Sequence, residues 1–227
     1  MQKSFNYLCA IIGILRSGKC YIPLDVDSPI DRNNTIIKQC NMDMVIYEDE
    51  KKIPSLTIDG KISLDKAVKS TYKYEKVHID SQSIAYIIFT SGSTGIPKGV
   101  CIKQESVINR IQWMSKQYKI SRKDVILHKT PMTFDVSVWE LLLWIFSDSQ
   151  LVILPSKKES DPEFILNTVK NYKVTVMHFV PSMLNVFLEY LESANIALPS
   201  LKFVFMYSVF YSLTNYVFSS QKHLFFR

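Results

Sequence analysis

Glycine is scarce in this chain, six residues in 227, and cysteine is scarcer still, with four. Cys9, Cys20, Cys40 and Cys101 are widely spaced, form no Cys-x-x-Cys pair and have no histidine at zinc-ligand spacing. A disulfide framework and a structural zinc site are thereby excluded. Three of the four sit in apolar runs and are expected to be small buried hydrophobes. Concentrated charge is also lacking. Lys+Arg of 27 against Asp+Glu of 21 leaves a net +6, yet the longest basic runs are only pairs, such as Lys51-Lys52 and Lys157-Lys158. No dense stripe could track a nucleic-acid backbone, whereas a mild positive field suits a small anion. Long apolar runs are few. Tyr7–Leu15 is too short to span a bilayer and no small-residue cleavage pattern follows it. From Phe203 nineteen residues pass without a charge, but Ser208, Ser212, Thr214, Asn215, Ser219 and Ser220 interrupt them, so no membrane span is expected. A cytoplasmic location is the expectation.

What is present reads as an ordinary globular chain, 47% hydrophobic and 21% charged. Phe5–Leu15 is apolar nearly all round and predicts a buried helix ending at Gly18. A second helix is predicted over 30–40 after Pro29, then a short strand at 44–46. Residues 48–80 are polar and lysine-rich, with strand-like pieces at 56–58 and 62–64. Ile84–Phe89 is a continuous apolar run, expected as a strand buried on both faces. A helix over about 104–118 places Val107, Ile111, Met114 and Tyr118 on one face. Capping boxes at Ser137-x-x-Glu140 and Ser160-Asp161-Pro162-Glu163 open helices reaching about Phe146 and Tyr172. Strand-like runs at 125–127, 151–154, 174–177 and 203–205 alternate with them. Such alternation argues an α/β fold with largely parallel sheets flanked by helices.

Half the glycine lies in one stretch. The buried strand leads into Thr90-Ser91-Gly92-Ser93-Thr94-Gly95-Ile96-Pro97-Lys98-Gly99-Val100. Backbone N–H groups and hydroxyls can wrap an anion there, and Lys98 adds a point charge. Pro97 precedes the lysine, so this is no Walker A loop, and the glycine spacing is wrong for a nucleophile elbow. The plain alternative is a Ser/Gly-rich surface turn. Tyr86–Val100 closely resembles the phosphate-binding signature of adenylate-forming enzymes, which include adenylation domains, acyl-CoA ligases and firefly-type luciferases. The resemblance implies that Thr90, Ser91, Gly92, Ser93, Thr94, Gly95 and Lys98 cradle the β- and γ-phosphates of ATP, with Mg²⁺ accompanying it. In that family a carboxylate attacks the α-phosphate, giving an acyl-adenylate and pyrophosphate.

Two further segments narrow the resemblance. Leu15–Asp25 resembles a scaffold motif of nonribosomal peptide synthetase adenylation domains, and Tyr21, Pro23 and Asp25 are given no chemistry. Phe134-Asp135-Val136-Ser137-Val138-Trp139-Glu140 resembles the segment whose aspartate accepts the substrate α-ammonium. A helix cap is the plain reading of Asp135, but Ser137 and Glu140 already complete a capping box and are expected to leave it free. Trp139, at i+4 from Asp135, can line the same pocket. By the resemblance Val136, His178 and Phe205 join it, and Asp-Val-Trp-His-Phe is similar to the start of the pattern for serine. Without the family, His178 reads as a satisfied structural histidine.

The resemblance covers roughly residues 5–205, taken as part of the N-terminal domain of the adenylate-forming fold, with 206–227 as a divergent aromatic-rich tail. Met206-Tyr207-Ser208-Val209-Phe210 stands where a Ser-Gly-Glu-Ala-type turn is usual, and Gln104 where a histidine is common. The family's metal-holding acid, ribose-binding aspartate and catalytic lysine find no counterpart, so no catalytic and no metal-binding residue is assigned. The tail has the character of a frameshifted or misassembled end. The expectation is a fragment of an amino-acid-activating adenylation domain, inactive alone. Its partners would be an amino acid, a phosphopantetheinyl carrier protein or a separate C-terminal polypeptide, and neither nucleic acid nor membrane. An acyl-CoA ligase relative and a non-catalytic remnant or pseudogene product are the alternatives.

Overall fold

The computed structural model describes residues 1–50, 53, 55–71, 75–91 and 95–206, which form two compact units meeting in sequence at Asn109 and Arg110. The tail from 207 onward, Lys51-Lys52 and Gly92–Thr94 lie outside the described residues.

In the first unit, helix α1 (Phe5–Arg16) is capped by Ser4, whose hydroxyl accepts from the Tyr7 amide at 3.2 Å. Only Tyr7, Leu8 and Ile11 are buried, so burial all round does not hold: the helix offers one stripe to a core and turns Phe5 and Cys9 outward. Helix α2 (Ile30–Gln39) follows Pro29 as expected. Strands β1 (Met44–Tyr47) and β2 (Gly60–Ser63) pair in parallel, and a short helix α3 (Leu64–Val68) follows. The expected strand at 56–58 is absent, and the piece at 62–64 begins earlier and gives way to α3.

Strand β3 (Ile84–Thr90) pairs antiparallel with β4 (Lys98–Lys103), a strand that sequence reasoning missed. Ala85, Tyr86 and Ile88 are buried, but Ile84 is exposed, so β3 is not covered on both faces throughout. Gly99 is required by packing: a Cβ there would stand 2.9 Å from the side chains of both Ile87 and Phe89. The Leu15–Asp25 stretch serves as scaffold. Tyr21 exchanges backbone hydrogen bonds with Ala85 and Ile87 at 3.1 Å, and its ring lies 5.6 Å from that of Tyr86. None of the four cysteines is buried, contrary to expectation. Cys20 and Cys40 are half-buried; Cys9 and Cys101 are exposed, because the apolar runs that carry them belong to elements covered on one side only.

Helix α4 (Gln104–Gln117) buries Val107, Ile111 and Met114 on its expected face. The second unit is built on β5 (Val125–His128), β6 (Gln150–Ile153), β7 (Val176–Phe179) and β8 (Phe203–Met206), all parallel, in the order β6-β5-β7-β8. Helices α5 (Val136–Ser147), α6 (Pro162–Tyr172) and α7 (Pro181–Ser193) connect them, α7 not having been anticipated. Period-two alternation sorts the side chains. Val125, Leu127, Met177 and Phe179 enter an apolar core with Ile165, Val169, Phe187 and Leu191 of α6 and α7. Ile126, His128, Val176 and His178 therefore point to the other face, where Glu140 of α5 meets His128. Among the described residues no helix is long and apolar enough to cross a membrane.

One polar staple gathers the strand beginnings. The buried Asp124 accepts from Lys202 Nζ at 2.7 Å, from Thr175 Oγ1 at 3.0 Å and from the Ser121 amide at 3.0 Å. Lys202, Thr175 and Asp124 itself immediately precede β8, β7 and β5. Burial alone would raise the Asp124 carboxyl, but the Lys202 ammonium and the Ser121 and Thr175 hydrogen bonds outweigh it and hold it below its ordinary value. Asp124→Asn should cost about 1–3 kcal/mol at neutral pH. Because the folded value lies below the unfolded one of about 3.9, the staple's contribution is full above about pH 4 and is lost as pH falls through the folded value. Urea unfolding at pH 7 and pH 3 should therefore show a smaller acid loss in the variant than in the wild type.

Candidate pocket at the ends of β5 and β7

In the second unit the chain leaves β5 by α5 to reach β6 on one side, while β7 and β8 lie on the other. Neighbouring β5 and β7 thus feed helices on opposite faces. In open α/β sheets ligands bind at such a switch point, beyond the carboxyl ends of the two strands. His128 ends β5 and His178 stands next to last in β7, so both flank it.

The segment that crosses from β5 to α5 is held by one buried carboxylate. Glu140 Oε2 accepts from His128 Nδ1 at 2.9 Å and from the Lys129 and Thr130 amides at 3.0 and 2.9 Å. Its Oε1 accepts from Thr130 Oγ1 at 2.7 Å. Burial pushes the Glu140 carboxyl up, but His128 and Thr130 outweigh that, and the group sits below the usual carboxylate range as an ion. With two amides already donating to Oε2, His128 must carry its proton on Nδ1. The expected capping box at Ser137 and Glu140 is therefore not formed. Glu140 turns inward, and the Ser137 hydroxyl donates to the Phe134 carbonyl at 2.7 Å. Asp135 is the cap instead, its Oδ1 accepting from the Val136 amide at 2.9 Å. It is exposed, and among the described residues its second oxygen accepts no hydrogen bond. Local spacing could not reveal Glu140, since its partners lie ten to twelve residues earlier on another element.

Of the pocket residues expected from sequence, three come together. Trp139 is buried edge-on to His178, with centroids 6.4 Å apart, and to Phe205 at 5.2 Å. His178 and Phe205 are direct register partners across β7 and β8. Tyr118, beyond the end of α4, packs on the Phe205 ring at 4.7 Å. Val136 is half-buried at the start of α5. His178 is 1% exposed, and among the described residues neither ring nitrogen has a hydrogen-bond partner. Burial is the largest influence on it and drives its pKa down to about 4; Glu140 and Asp135 pull upward and Lys129 downward. At neutral pH the ring is neutral, with one donor and one acceptor unsatisfied.

The glycine loop belongs to the first unit and joins β3 to β4 as a hairpin connection. Lys98 opens β4 opposite Thr90, whose hydroxyl approaches the Lys98 carbonyl at 3.5 Å. Thr90, Ser91, Gly95 and Lys98 are all exposed. Gly95 takes a left-handed φ of +77°, and open space lies where its Cβ would be. Gly92, Ser93 and Thr94 lie outside the described residues. Among the described residues no three His, Cys, Asp or Glu side chains gather as a metal site.

The pattern of the family described as AMP-binding enzyme matches residues 1–211. Zwittermicin A synthase ZmaJ of Bacillus cereus is 39% identical over 200 residues, 85% of this chain and 37% of that one. Vanchrobactin synthetase VabF of Vibrio anguillarum is 35% identical over 212 residues, 90% of this chain and 8% of that protein. Among solved structures, the nonribosomal peptide synthetase FmoA3 bound to α-methyl-L-serine-AMP superposes with a TM-score of 0.79 at 22% identity. That match covers 90% of this chain and 23% of the other. The chain thus spans well under half the length of each of these relatives.

The His178 environment makes a direct prediction. Its ring proton resonances should stay unchanged from pH 8 to about 5 and titrate near the value of about 4 that burial imposes. The unfolded value is about 6.5, so the unfolded chain binds the extra proton first and stability declines as pH falls from about 6.5 towards 4. His178→Phe should remove that part of the decline. Proton NMR and chemical unfolding at pH 7 and 5 check both, and a His178 titrating near 6.5 would contradict the burial account.

Proposed function

Because the chain belongs to the AMP-binding enzyme family, we propose that it carries the phosphate loop and one wall of the acid pocket of an amino-acid-activating adenylation domain. A small hydroxylated amino acid, serine first, is the proposed substrate. The observation that carries this reading is the buried His178 ring, unpartnered at both nitrogens among the described residues, between Trp139 and its register partner Phe205. A neutral imidazole with a free donor and a free acceptor complements a hydroxyl, and the surrounding rings limit the volume. Asp135 Oδ2 is the proposed acceptor for the substrate α-ammonium, a charge-assisted bond available only to acids that bear an amine. Val136 lines the approach between them.

Thr90, Ser91, Gly92, Ser93, Thr94, Gly95 and Lys98 are the proposed phosphate ligands. When bound, ATP supplies an electrophilic α-phosphate; the substrate carboxylate bonds to that phosphorus and the bond to the pyrophosphate oxygen breaks. The loop's donors would neutralise charge on the departing pyrophosphate, and the pocket would hold the acid in line. Magnesium finds no acidic cluster among the described residues, and no step is assigned to it. A phosphopantetheinyl carrier protein as acceptor and a cytoplasmic setting belong to the same proposal, through the resemblance to nonribosomal peptide synthetase adenylation domains.

Two measurements test the assignments. In calorimetry with a non-hydrolysable seryl-adenylate analogue, Asp135→Ala should weaken binding by about 1.5–3 kcal/mol, while the des-amino analogue should lose almost nothing. Equal losses for both ligands would remove Asp135 from the ammonium site, and a phenylalanyl analogue binding as tightly as the seryl one would remove serine. Separately, Lys98→Ala should weaken inorganic pyrophosphate binding by about 10-fold or more, the loss of one charge-assisted contact. Unchanged pyrophosphate affinity would overturn the loop assignment.

A further inference from the structure

Glu140 is wholly buried and makes four hydrogen bonds, none to a residue of the proposed pocket and three of them to the two residues that follow His128. We propose that Glu140 is a positioning residue: its carboxylate fixes the β5–α5 crossover and thereby the place of Asp135, so that recognition of the substrate ammonium depends on it. This inference rests on the functional reading of Asp135 given above.

The geometry leads there in three steps. First, β5 ends at His128, and beyond it the Lys129 and Thr130 amides have no strand to pair with. Buried amides need an acceptor, and the two oxygens of Glu140 take both of them together with the Thr130 hydroxyl. An apolar side chain of the same size would leave both orphaned. Second, Glu140 stands five residues beyond Asp135 on one rigid helix, about 7.5 Å along its axis. Gripping residues 129 and 130 from that point fixes both ends of the segment between. Third, the segment has little slack. The Phe134 amide bonds the Pro131 carbonyl at 3.1 Å, and the Ser137 amide and hydroxyl both bond the Phe134 carbonyl, at 3.0 and 2.7 Å. The turn that delivers Asp135 therefore moves as one piece, and Glu140 is what holds that piece to the end of β5. Once released, Asp135 would keep its cap on Val136 but lose its fixed place relative to His178.

The test uses the 227-residue chain and two ligands, the non-hydrolysable seryl-adenylate analogue and its des-amino counterpart. The readout is the ratio of their dissociation constants, which loss of overall stability would not change selectively. Wild type should prefer the amine-bearing ligand by about 10-fold or more. Glu140→Gln keeps the shape but replaces an acceptor oxygen by a donor, and should bring the ratio to within about 3-fold of unity. Thr130→Val removes only the hydroxyl donor and should give an intermediate ratio. Pyrophosphate affinity, which depends on the glycine loop, should be unchanged in both. A wild-type preference that survives in both variants overturns the positioning role and leaves the functional reading standing. A wild type without preference overturns the reading of Asp135 and this role with it. Should Glu140→Gln fail to fold, Thr130→Val decides: a ratio equal to that of wild type refutes the proposal.

Discussion

A carboxylate taken wholly out of water is among the costliest things a fold can contain, and Glu140 is one. Several kcal/mol of lost hydration must be offset by partners with good geometry, and removal of any one of them leaves a charge or an amide unsatisfied. Glu140 meets that demand with four donors drawn from three consecutive residues. The arrangement fixes more than a local turn. It chooses the His128 tautomer, sets where α5 begins, and thereby determines where Trp139 and Asp135 stand relative to β7. An apolar contact could have packed α5 onto the sheet, but it could not have selected one path for the chain leaving β5.

The remainder of the second unit is organised by strand order. With β5 and β7 adjacent and their connections on opposite faces, the switch point at their carboxyl ends is a consequence of topology. What stands there is a matter of alternation. His128 and His178 fall on the side away from the α6 and α7 core because their neighbours Leu127, Met177 and Phe179 fall on the other. At the opposite end Asp124, Thr175 and Lys202 tie the strand beginnings, so the sheet is pinned by polar groups at one end and by Glu140 at the other.

Much of this is legible in the sequence, and the misses have physical reasons. The four parallel strands are short apolar runs separated by helices, and their alternation with amphipathic segments is sufficient to place them. Family resemblance gathers Trp139, His178 and Phe205, and the fold does bring their rings together. Strand β4 escapes notice because Lys98, Gly99 and Lys103 break the apolar pattern, and its pairing with β3, not its own side chains, makes it a strand. The cysteines mislead because an apolar neighbourhood in sequence does not amount to burial, and α1 and β4 each present an open side. Ser137 and Glu140 show the deepest limit. Their spacing satisfies a local rule, but the carboxylate is claimed by His128, Lys129 and Thr130, and only the folded chain shows that competition.

The two faces of the parallel sheet have a consequence for how such a protein could change. Leu127, Met177 and Phe179 are packed among α6 and α7, where an altered volume would be felt through the whole core. Ile126, His128, Val176 and His178 sit on the same strands, one residue out of phase, and face the α5 side. A single nucleotide change at codon 178 would therefore rewrite what the proposed pocket recognises while the neighbouring codons continue to specify the hydrophobic interior. Heritable variation in selectivity and constancy of the scaffold are interleaved along one strand, separated by nothing more than the pleat.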